Sequence, residues 1–305
     1  MRLPRQSLFL NNCENRFQPK LLGRCLSYAR LSLGVDLNEP LNLLVTESLT
    51  RQFDDLVAVD HVSFAVKETE VFGLVGPNGA GKSTMIKMLT TLLPPTSGNG
   101  SICGFDIVRQ AGSVRKQIGY VPQMVSADGD LTAKENLLLV AKLYDVPRDE
   151  RLSRAVEALS FMNLSDVADK RVRQFSGGMI RRLEIAQSML HRPKMLFLDE
   201  PTVGLDPVAR SSVWKHILEL RDKYRTTILL TTHLMEEVEN LCDKVGIMHH
   251  GKMVALGTAT ELKAAIGNPE ATLDEVFILF AGERIDEAGG FRAASRARRT
   301  ARRLG

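Results

Sequence analysis

The sequence has few cysteines, few aromatic residues and no long apolar run. Its four cysteines, Cys13, Cys25, Cys103 and Cys242, form no CxxC pair, which disfavours both a disulfide framework and a zinc site. No stretch approaches the roughly 18 consecutive apolar residues that a transmembrane helix needs, and the apolar stretch at 8–10 is too short for a secretory signal. Hydrophobic residues still make up 44% of the 305 residues, which is enough for a sizeable globular core.

The net charge of +4 is unevenly distributed along the chain. Residues 1–35 hold six Lys or Arg against one Glu, and residues 289–305 hold six Arg and no acidic residue, so the body between them carries a net charge of −7. A nucleic-acid-binding function would rest on the two ends alone, and we expect no nucleic-acid partner. Solvated ends and ends that contact anionic lipid headgroups both remain open.

Apolar patterning predicts alternating strands and helices, as in an α/β fold. Residues 57–66 alternate apolar and polar side chains, as a half-buried strand does. Residues 71–75 form a short apolar run typical of a buried parallel strand. We predict further strands at 195–198 and 227–231, a hairpin over 245–248 and 253–256, an almost wholly helical stretch from 131 to 188, and capped helices that begin at Thr258 and Thr272.

A phosphate-binding loop follows the strand at 71–75. Residues 76–84 read GPNGAGKST, which fits the pattern GxxxxGK[ST] in full. The glycines let successive N–H groups point at phosphate oxygens, and a helix N-terminus adds partial positive charge. Lys82 would reach the β- and γ-phosphates, and the Ser83 hydroxyl would ligate Mg²⁺. The nucleotide-binding residues predicted here are Gly76, Pro77, Asn78, Gly79, Ala80, Gly81, Lys82, Ser83 and Thr84.

An apolar strand that ends in two acids supplies the usual partner of such a loop. Asp199 would hold Mg²⁺, and Glu200 would accept a proton from an attacking water as general base. These features alone define a phosphate-loop NTPase, a class that also includes kinases, GTPases and helicases.

A second anion cradle narrows this class. Residues 175–179 read FSGGM and precede a helix, so a hydroxyl, bare backbone N–H groups and a helix N-terminus come together. The segment resembles the LSGGQ signature of ATP-binding cassette (ABC) proteins, with Phe175 and Met179 in place of the usual Leu and Gln. The resemblance implies that Ser176, Gly177 and Gly178 grip the γ-phosphate of an ATP held by a second subunit.

The resemblance extends to four single positions. Gln123 resembles the Q-loop glutamine, which implies a role at the γ-phosphate, at Mg²⁺ and toward the membrane subunit. Asp206 resembles the D-loop acid at the dimer interface, and His233 resembles the switch histidine at the γ-phosphate. Phe53 resembles the aromatic residue that stacks on adenine.

Two other aromatic features have simpler interpretations. Phe64 is expected to be a core residue rather than an adenine-binding one. His249 and His250 are adjacent and look like a metal pair, but in a tight hairpin turn we expect them to be exposed and inert.

The resemblance covers residues 41–265 and, more loosely, residues up to 285. It implies a phosphate-loop NTPase core with a mostly parallel sheet, an antiparallel β subdomain and a helical signature subdomain. We therefore predict a basic and poorly ordered arm at residues 1–40, followed by an ABC ATPase nucleotide-binding domain at 41–265 that contains a helical insertion at about 124–188. A helical extension at 266–288 and an Arg-rich tail at 289–305 are predicted to follow.

A narrower resemblance concerns function. The segments FSGGMIRRLEIAQSMLHRP, EPTVGLDP and ATLDEVF are similar to the ATPase subunits of ABC-2 type drug exporters, a group that includes the daunorubicin-resistance ATP-binding proteins. This implies an ATPase that dimerises with a second copy around two ATP–Mg²⁺ and drives export of drugs or hydrophobic natural products. It would work through a separate integral membrane permease subunit at the cytoplasmic face of a bacterial membrane. A soluble ABC ATPase without a permease, of the iron–sulfur assembly kind, is the alternative.

Overall fold

The computed structural model describes residues 41–281, which hold two sheets and nine α-helices. The predicted arm at 1–40, the tail at 289–305 and the end of the predicted extension lie outside the described residues. In chain order the elements are β1 (Asn42–Phe53), β2 (Leu56–Lys67), β3 (Val71–Val75), α1 (Lys82–Leu89), β4 (Ser97–Ile102), β5 (Phe105–Asp106), α2 (Ala111–Gln117), β6 (Ile118–Val121), α3 (Ala133–Leu143), α4 (Arg151–Phe161), α5 (Gly177–Met189), β7 (Met195–Asp199), α6 (Pro207–Tyr224), β8 (Thr227–Thr232), α7 (Met235–Leu241), β9 (Lys244–His249), β10 (Lys252–Gly257), α8 (Ala259–Ala265) and α9 (Leu273–Ala281).

The larger sheet has six strands in the order β10-β9-β3-β8-β7-β6. All neighbours in it are parallel except β10, which closes the predicted hairpin against β9. The three central strands β3, β8 and β7 are buried throughout, as a sheet covered on both faces requires. Because parallel strands in register end at the same edge, the chain segments that follow β3, β6, β7 and β8 emerge side by side.

The smaller sheet is antiparallel, with the order β2-β1-β4-β5. One hydrophobic cluster joins this sheet, α1 and the larger sheet, and it includes Leu44, Phe64, Phe72, Met85 and Phe197. The ring of Phe64 stacks on that of Phe72 with centroids 5.0 Å apart. Phe64 is therefore a core residue, as predicted.

The stretch between β6 and β7 is helical, in agreement with its pattern. It contains α3, α4 and α5 with two short 3₁₀ turns, and α3 begins with a capping box between Thr132 and Glu135. A second cluster, which includes Leu137, Leu159 and Leu183, packs these three helices together. The bounds of this insertion as a separate domain stay a prediction.

The last two helices also begin as predicted. Thr258 and Glu261 form one capping box, and Thr272 and Glu275 exchange the corresponding hydrogen bonds before α9. Val276 and Phe277 of α9 are fully buried in a third cluster with residues of α7, α8 and β9. Within residues 41–281, no helix is long and apolar enough to cross a bilayer.

The contact between β6 and the signature helix α5 provides a test of this packing. A Cβ atom on Gly119 would lie 2.4 Å from the backbone oxygen of Ser188, and backbone cannot move aside as a side chain can. We therefore expect Gly119→Ala to lower the free energy of unfolding by about 1–3 kcal/mol, the usual cost of overpacking. Urea unfolding followed by circular dichroism measures this change.

Gly112→Ala is the matched control for Gly119→Ala. A Cβ atom at Gly112, in α2, would meet nothing within 4 Å, and alanine favours the helix by up to about 1 kcal/mol. This variant should be as stable as the wild type or slightly more so. Equal losses for the two variants would contradict the packing argument.

Candidate nucleotide site

The phosphate loop connects β3 to α1, as the sequence predicts. Gly81 has φ 101° and precedes the first residue of the helix. A Cβ atom at Gly81 would lie 2.3 Å from the backbone oxygen of Ala58, so both the dihedral and the close approach require glycine. The turn between β9 and β10 supports the loop, because Gly251 N donates to Ala80 O at 3.1 Å. The turn is itself bound to β2, because Gly251 O accepts from Asp60 N at 2.8 Å.

Lys82 is a buried cation at the start of α1. Its Nζ donates to Gly76 O at 2.7 Å and to Pro77 O at 3.0 Å, and lies 3.8 Å from Glu200 Oε1. Burial lowers the pKa of Lys82, while the carboxylates of Glu200 and Asp199 oppose that shift. The ammonium group is therefore held at the loop by acceptors that a phosphate group can replace.

Asp199 and Ser83 bring two oxygen ligands together. The Ser83 hydroxyl donates to Asp199 Oδ1 at 3.2 Å, and Thr231 Oγ1 on the neighbouring strand donates to the same oxygen. A carboxylate and a hydroxyl are hard donors that suit Mg²⁺, which usually takes one or two protein ligands and completes its shell with water and phosphate. The predicted pair therefore fits a magnesium ion bound together with a nucleotide.

Glu200 is the centre of a polar cluster. Its backbone has φ 49°, a left-handed conformation that is costly for a residue with a Cβ, and its N–H donates to the backbone oxygen of Thr231. Oε2 accepts from Gln123 Nε2 at 2.9 Å, and Oε1 lies 3.3 Å from His233 Nδ1. The hydrogen bond with His233, together with the charge of Lys82, lowers the pKa of Glu200 against the opposing effect of burial. The side chain is thus ionised at neutral pH, which a proton acceptor requires.

Phe53 lines a cleft of about 500 Å³ whose wall also contains Lys82, Gln123 and Glu200. Phe53 is 39% exposed, and the guanidinium of Arg51 lies over its ring with Cζ 4.5 Å from the centroid. A partly exposed aromatic residue in the same cleft as the phosphate loop is suited to adenine stacking. The expected adenine contact of Phe53 stays a prediction that this position favours.

The remaining predicted residues lie at two helix N-termini. Ser176 is the N-cap of α5 and accepts from Met179 N at 3.3 Å, while Asp206 is the N-cap of α6 and accepts from Ala209 N at 2.9 Å. The two termini pack closely, since a Cβ atom on Gly178 would lie 2.8 Å from Ala209 Cβ. Neither cap side chain takes part in the cluster around Glu200.

The hairpin histidines differ from each other. His249 is half-buried and His250 is exposed, with ring centroids 4.0 Å apart, and His250 lies in the wall of the same cleft. No group of three or more His, Cys, Asp or Glu side chains suited to a metal ion occurs in the part of the chain that the structure describes. Cys103 and Cys242, both within residues 41–281, are free thiols.

Two residues that support the site, Thr231 and Glu237, belong to none of the motifs. Thr231 binds Asp199 through its hydroxyl and Glu200 through its backbone, and its place two residues before His233 was an available signal. Glu237 is fully buried, and its Oε1 accepts from Thr202 Oγ1 at 2.8 Å and from Trp214 Nε1 at 3.1 Å. A glutamate among helical polar residues gives no sequence signal of burial.

This fold and this loop define the class of protein. A mostly parallel sheet carries a phosphate loop after one strand and an Asp–Glu pair after another, which is the construction of a phosphate-loop NTPase. Residues 59–203 match the family profile described as ABC transporter.

Sequence relatives place the chain within that family. It is 40% identical over 225 residues to the linearmycin resistance ATP-binding protein LnrL of Bacillus subtilis, covering 74% of this chain and 72% of the relative. It is also 40% identical to the daunorubicin/doxorubicin resistance ATP-binding protein DrrA of Streptomyces peucetius, with coverage of 75% and 69%. The chain therefore belongs to the ABC transporter family, which confirms the predicted family.

A third relative is much longer than the region it shares. The probable multidrug ABC transporter ATP-binding protein YbhF of Escherichia coli is 41% identical over 242 residues, which are 77% of this chain, and the chain spans 41% of that relative's length.

Solved structures confirm the predicted fold. One, described as the ATP-binding subunit of an ABC transporter, aligns with a TM-score of 0.70 and 32% identity over 78% of this chain and 99% of its own. Another is a dimeric, post-hydrolysis state of the ATP-binding cassette MJ0796 bound to ADP and Pi, with a TM-score of 0.63 and 25% identity over 70% and 98% of the two chains.

The buried Glu237 generates a prediction about stability and pH. Burial raises its pKa above the ordinary 4.5, so the folded protein keeps a proton that the unfolded chain releases. The contribution of this carboxyl to stability therefore falls as the pH rises above 4.5. Gln cannot titrate, so the Tm of Glu237→Gln minus that of the wild type should increase between pH 4.5 and neutral pH.

Glu239→Gln, at an exposed position of the same helix, is the control for this comparison. Its Tm should follow that of the wild type across the same range. If the difference for Glu237→Gln were constant with pH, the raised pKa of Glu237 would be wrong.

Proposed function

We propose that this chain is the ATP-hydrolysing subunit of an ABC exporter, with Glu200 as the general base. The observation that carries the proposal is the environment of the Glu200 carboxylate: the residue is 5% exposed and contacts Gln123, His233 and Lys82. These are the residues that the family resemblance assigns to the γ-phosphate. A carboxylate in this position takes the proton of a water that attacks a phosphate bound at the loop.

The other cleft residues bind and orient the nucleotide. Lys82 exchanges its contacts with loop carbonyls for the β- and γ-phosphates, and Phe53 stacks on the adenine. Asp199 and Ser83 would hold Mg²⁺, with Gln123 as a further ligand, and the ion would neutralise charge that develops on the phosphate oxygens. His233 keeps Glu200 in place through its ring nitrogen.

The signature points to a second chain. Ser176 and Gly177 are exposed at the start of α5, and Ser176 takes no part in the Glu200 cluster of its own chain. We infer a head-to-tail homodimer in which Ser176, Gly177 and Gly178 of one copy close the phosphate site of the other, with Asp206 at the interface. The dimeric form of the relative MJ0796 supports this arrangement. ATP joins the two copies, and its hydrolysis releases them.

The segment after Gln123 supports docking to a membrane permease. Met124 is 81% exposed and Val125 is 63% exposed, although both are apolar. Leu139 and Leu143 of α3 and the pair Leu152 and Val156 of α4 add exposed apolar side chains at i,i+4 spacing. Such exposure is typical of a protein-binding surface, and we infer that a permease covers it at the cytoplasmic face of a bacterial membrane.

The cargo follows from the relatives. LnrL and DrrA are named for resistance to linearmycin and to daunorubicin/doxorubicin, so drugs or hydrophobic natural products are the proposed substrates of the complete exporter. A soluble ABC ATPase of the iron–sulfur assembly kind is the alternative, and the exposed apolar segment after Gln123 favours the exporter.

Glu200→Gln tests the catalytic proposal. The amide keeps the size of the side chain but cannot take a proton, so ATP turnover should fall by about 10²-fold or more while ATP binding persists. Phosphate release measures turnover, and equilibrium binding of a fluorescent ATP analogue measures affinity.

Two variants separate this effect from nonspecific damage. Lys82→Ala should weaken nucleotide binding itself, whereas Lys87→Ala, at an exposed position of the same helix, should match the wild type. Near-normal turnover of Glu200→Gln would exclude the role of Glu200.

Charged residues in the apolar segment test the docking proposal. Met124→Glu with Val125→Glu should prevent capture of a polytopic membrane protein when the tagged chain is isolated from gently solubilised membranes and its partners are identified by mass spectrometry. Leu92→Glu, at a residue that is 61% exposed, is the control and should retain the partner. A soluble partner for the wild type, or none while the chain is intact and binds ATP, would instead favour the soluble ATPase.

A further inference from the structure

A buried ion pair on the signature helix binds the loop that carries Gln123. Arg181 and Glu184 lie one turn apart on α5, with Arg181 Nη1 3.1 Å from Glu184 Oε2. Their side chains are 8% and 1% exposed. A pair this deeply buried is costly to desolvate and contributes little to stability by itself. Its hydrogen bonds to other residues therefore bear on its role.

Those contacts lead to one segment, residues 122–126. Arg181 Nη1 donates to Pro122 O at 2.8 Å, and Nη2 donates to Gln123 O at 3.2 Å. Glu184 Oε1 accepts two hydrogen bonds from Ser126, one from the backbone N–H and one from Oγ at 2.9 Å. The ion pair therefore holds the segment on both sides of Met124 and Val125.

The segment and the helix each end at a functional group. Gln123 Nε2 donates to Glu200 Oε2 at 2.9 Å, and α5 begins directly after Ser176. Four residues of one continuous helix lie between the N-cap Ser176 and Arg181. Arg181 and Glu184 therefore connect the Gln123 segment to the helix whose N-terminus would bind the ATP of the other copy.

We propose that Arg181 and Glu184 are positioning residues that couple the position of the signature helix α5 to the position of Gln123. This inference deepens the proposed function and rests on it. Loss of the pair leaves the phosphate loop intact, so a single chain binds nucleotide normally. The signature is then misplaced, and ATP-driven dimerisation and turnover fall together.

Two variants test the pair. Glu184→Gln keeps size and an acceptor for Ser126 but removes the charge, and Arg181→Lys keeps the charge but cannot reach both carbonyls. Each should lower turnover by about tenfold or more, since misplacement of about 1 Å has effects of this size, and should reduce ATP-dependent dimer formation in the Glu200→Gln background. The affinity of the isolated chain for ADP should stay within about twofold of the wild type because the phosphate loop lies outside the altered contacts.

A double-variant comparison distinguishes coupling from a structural defect. If the pair acts through Gln123, then Gln123→Ala combined with Glu184→Gln should reduce turnover little further than the stronger single variant. Arg154→Lys is the matched control, because Arg154 also joins a carboxylate, Glu150 at 2.6 Å, to a backbone oxygen, Leu190 O at 2.9 Å, but contacts another part of the helical stretch. The fold-reduction in turnover caused by Arg154→Lys should multiply with the fold-reduction caused by Gln123→Ala.

The outcomes separate the two proposals. The positioning role would be overturned if the fold-reductions in turnover caused by Glu184→Gln and Gln123→Ala multiplied in the double variant. It would also be overturned if ADP affinity fell in parallel with turnover. Neither result would contradict the proposed exporter ATPase. A wild-type chain that binds ADP but neither dimerises nor hydrolyses ATP would contradict the proposed function, and the positioning role with it.

Discussion

The parallel register of β3, β8, β7 and β6 is the constraint on which the site depends. Val75 pairs with Thr232, Asp199 with Thr231, and Val121 with Leu198, so these strands end at the same level. The phosphate loop, the Asp–Glu pair, the Gln123 segment and His233 all begin at that edge. Residues far apart in sequence become neighbours because the strands that precede them are paired in this register.

The backbone conformation and the burial of Glu200 are both energetically unfavourable. Its left-handed backbone is unfavourable, and its carboxylate is nearly removed from water. The hydrogen bonds from Gln123 and His233 and the charge of Lys82 compensate the carboxylate. Such an arrangement persists only where the surrounding strands fix it, and it suits the proposed role of Glu200 as a proton acceptor.

The helical stretch between β6 and β7 connects this edge to the surfaces proposed to bind a second copy and a permease. It starts with the exposed apolar residues Met124 and Val125 and ends at α5, whose N-terminal Ser176 is exposed. The ion pair of Arg181 and Glu184 joins the two ends. Nucleotide, partner copy and permease would therefore act on one continuous body rather than on separate loops.

The sequence by itself determined the family, the chemistry of the phosphate loop and most strands and helices. GPNGAGKST and FSGGM are local patterns whose backbone requirements are met within a few residues, and strand and helix periods are local as well. The contacts of Thr231, Glu237, Arg181 and Glu184 were decided only by the tertiary structure. Apart from the Arg181–Glu184 pair itself, the partners described above lie 23 to 59 residues away along the chain, and no short pattern records which polar side chain the packing will bury.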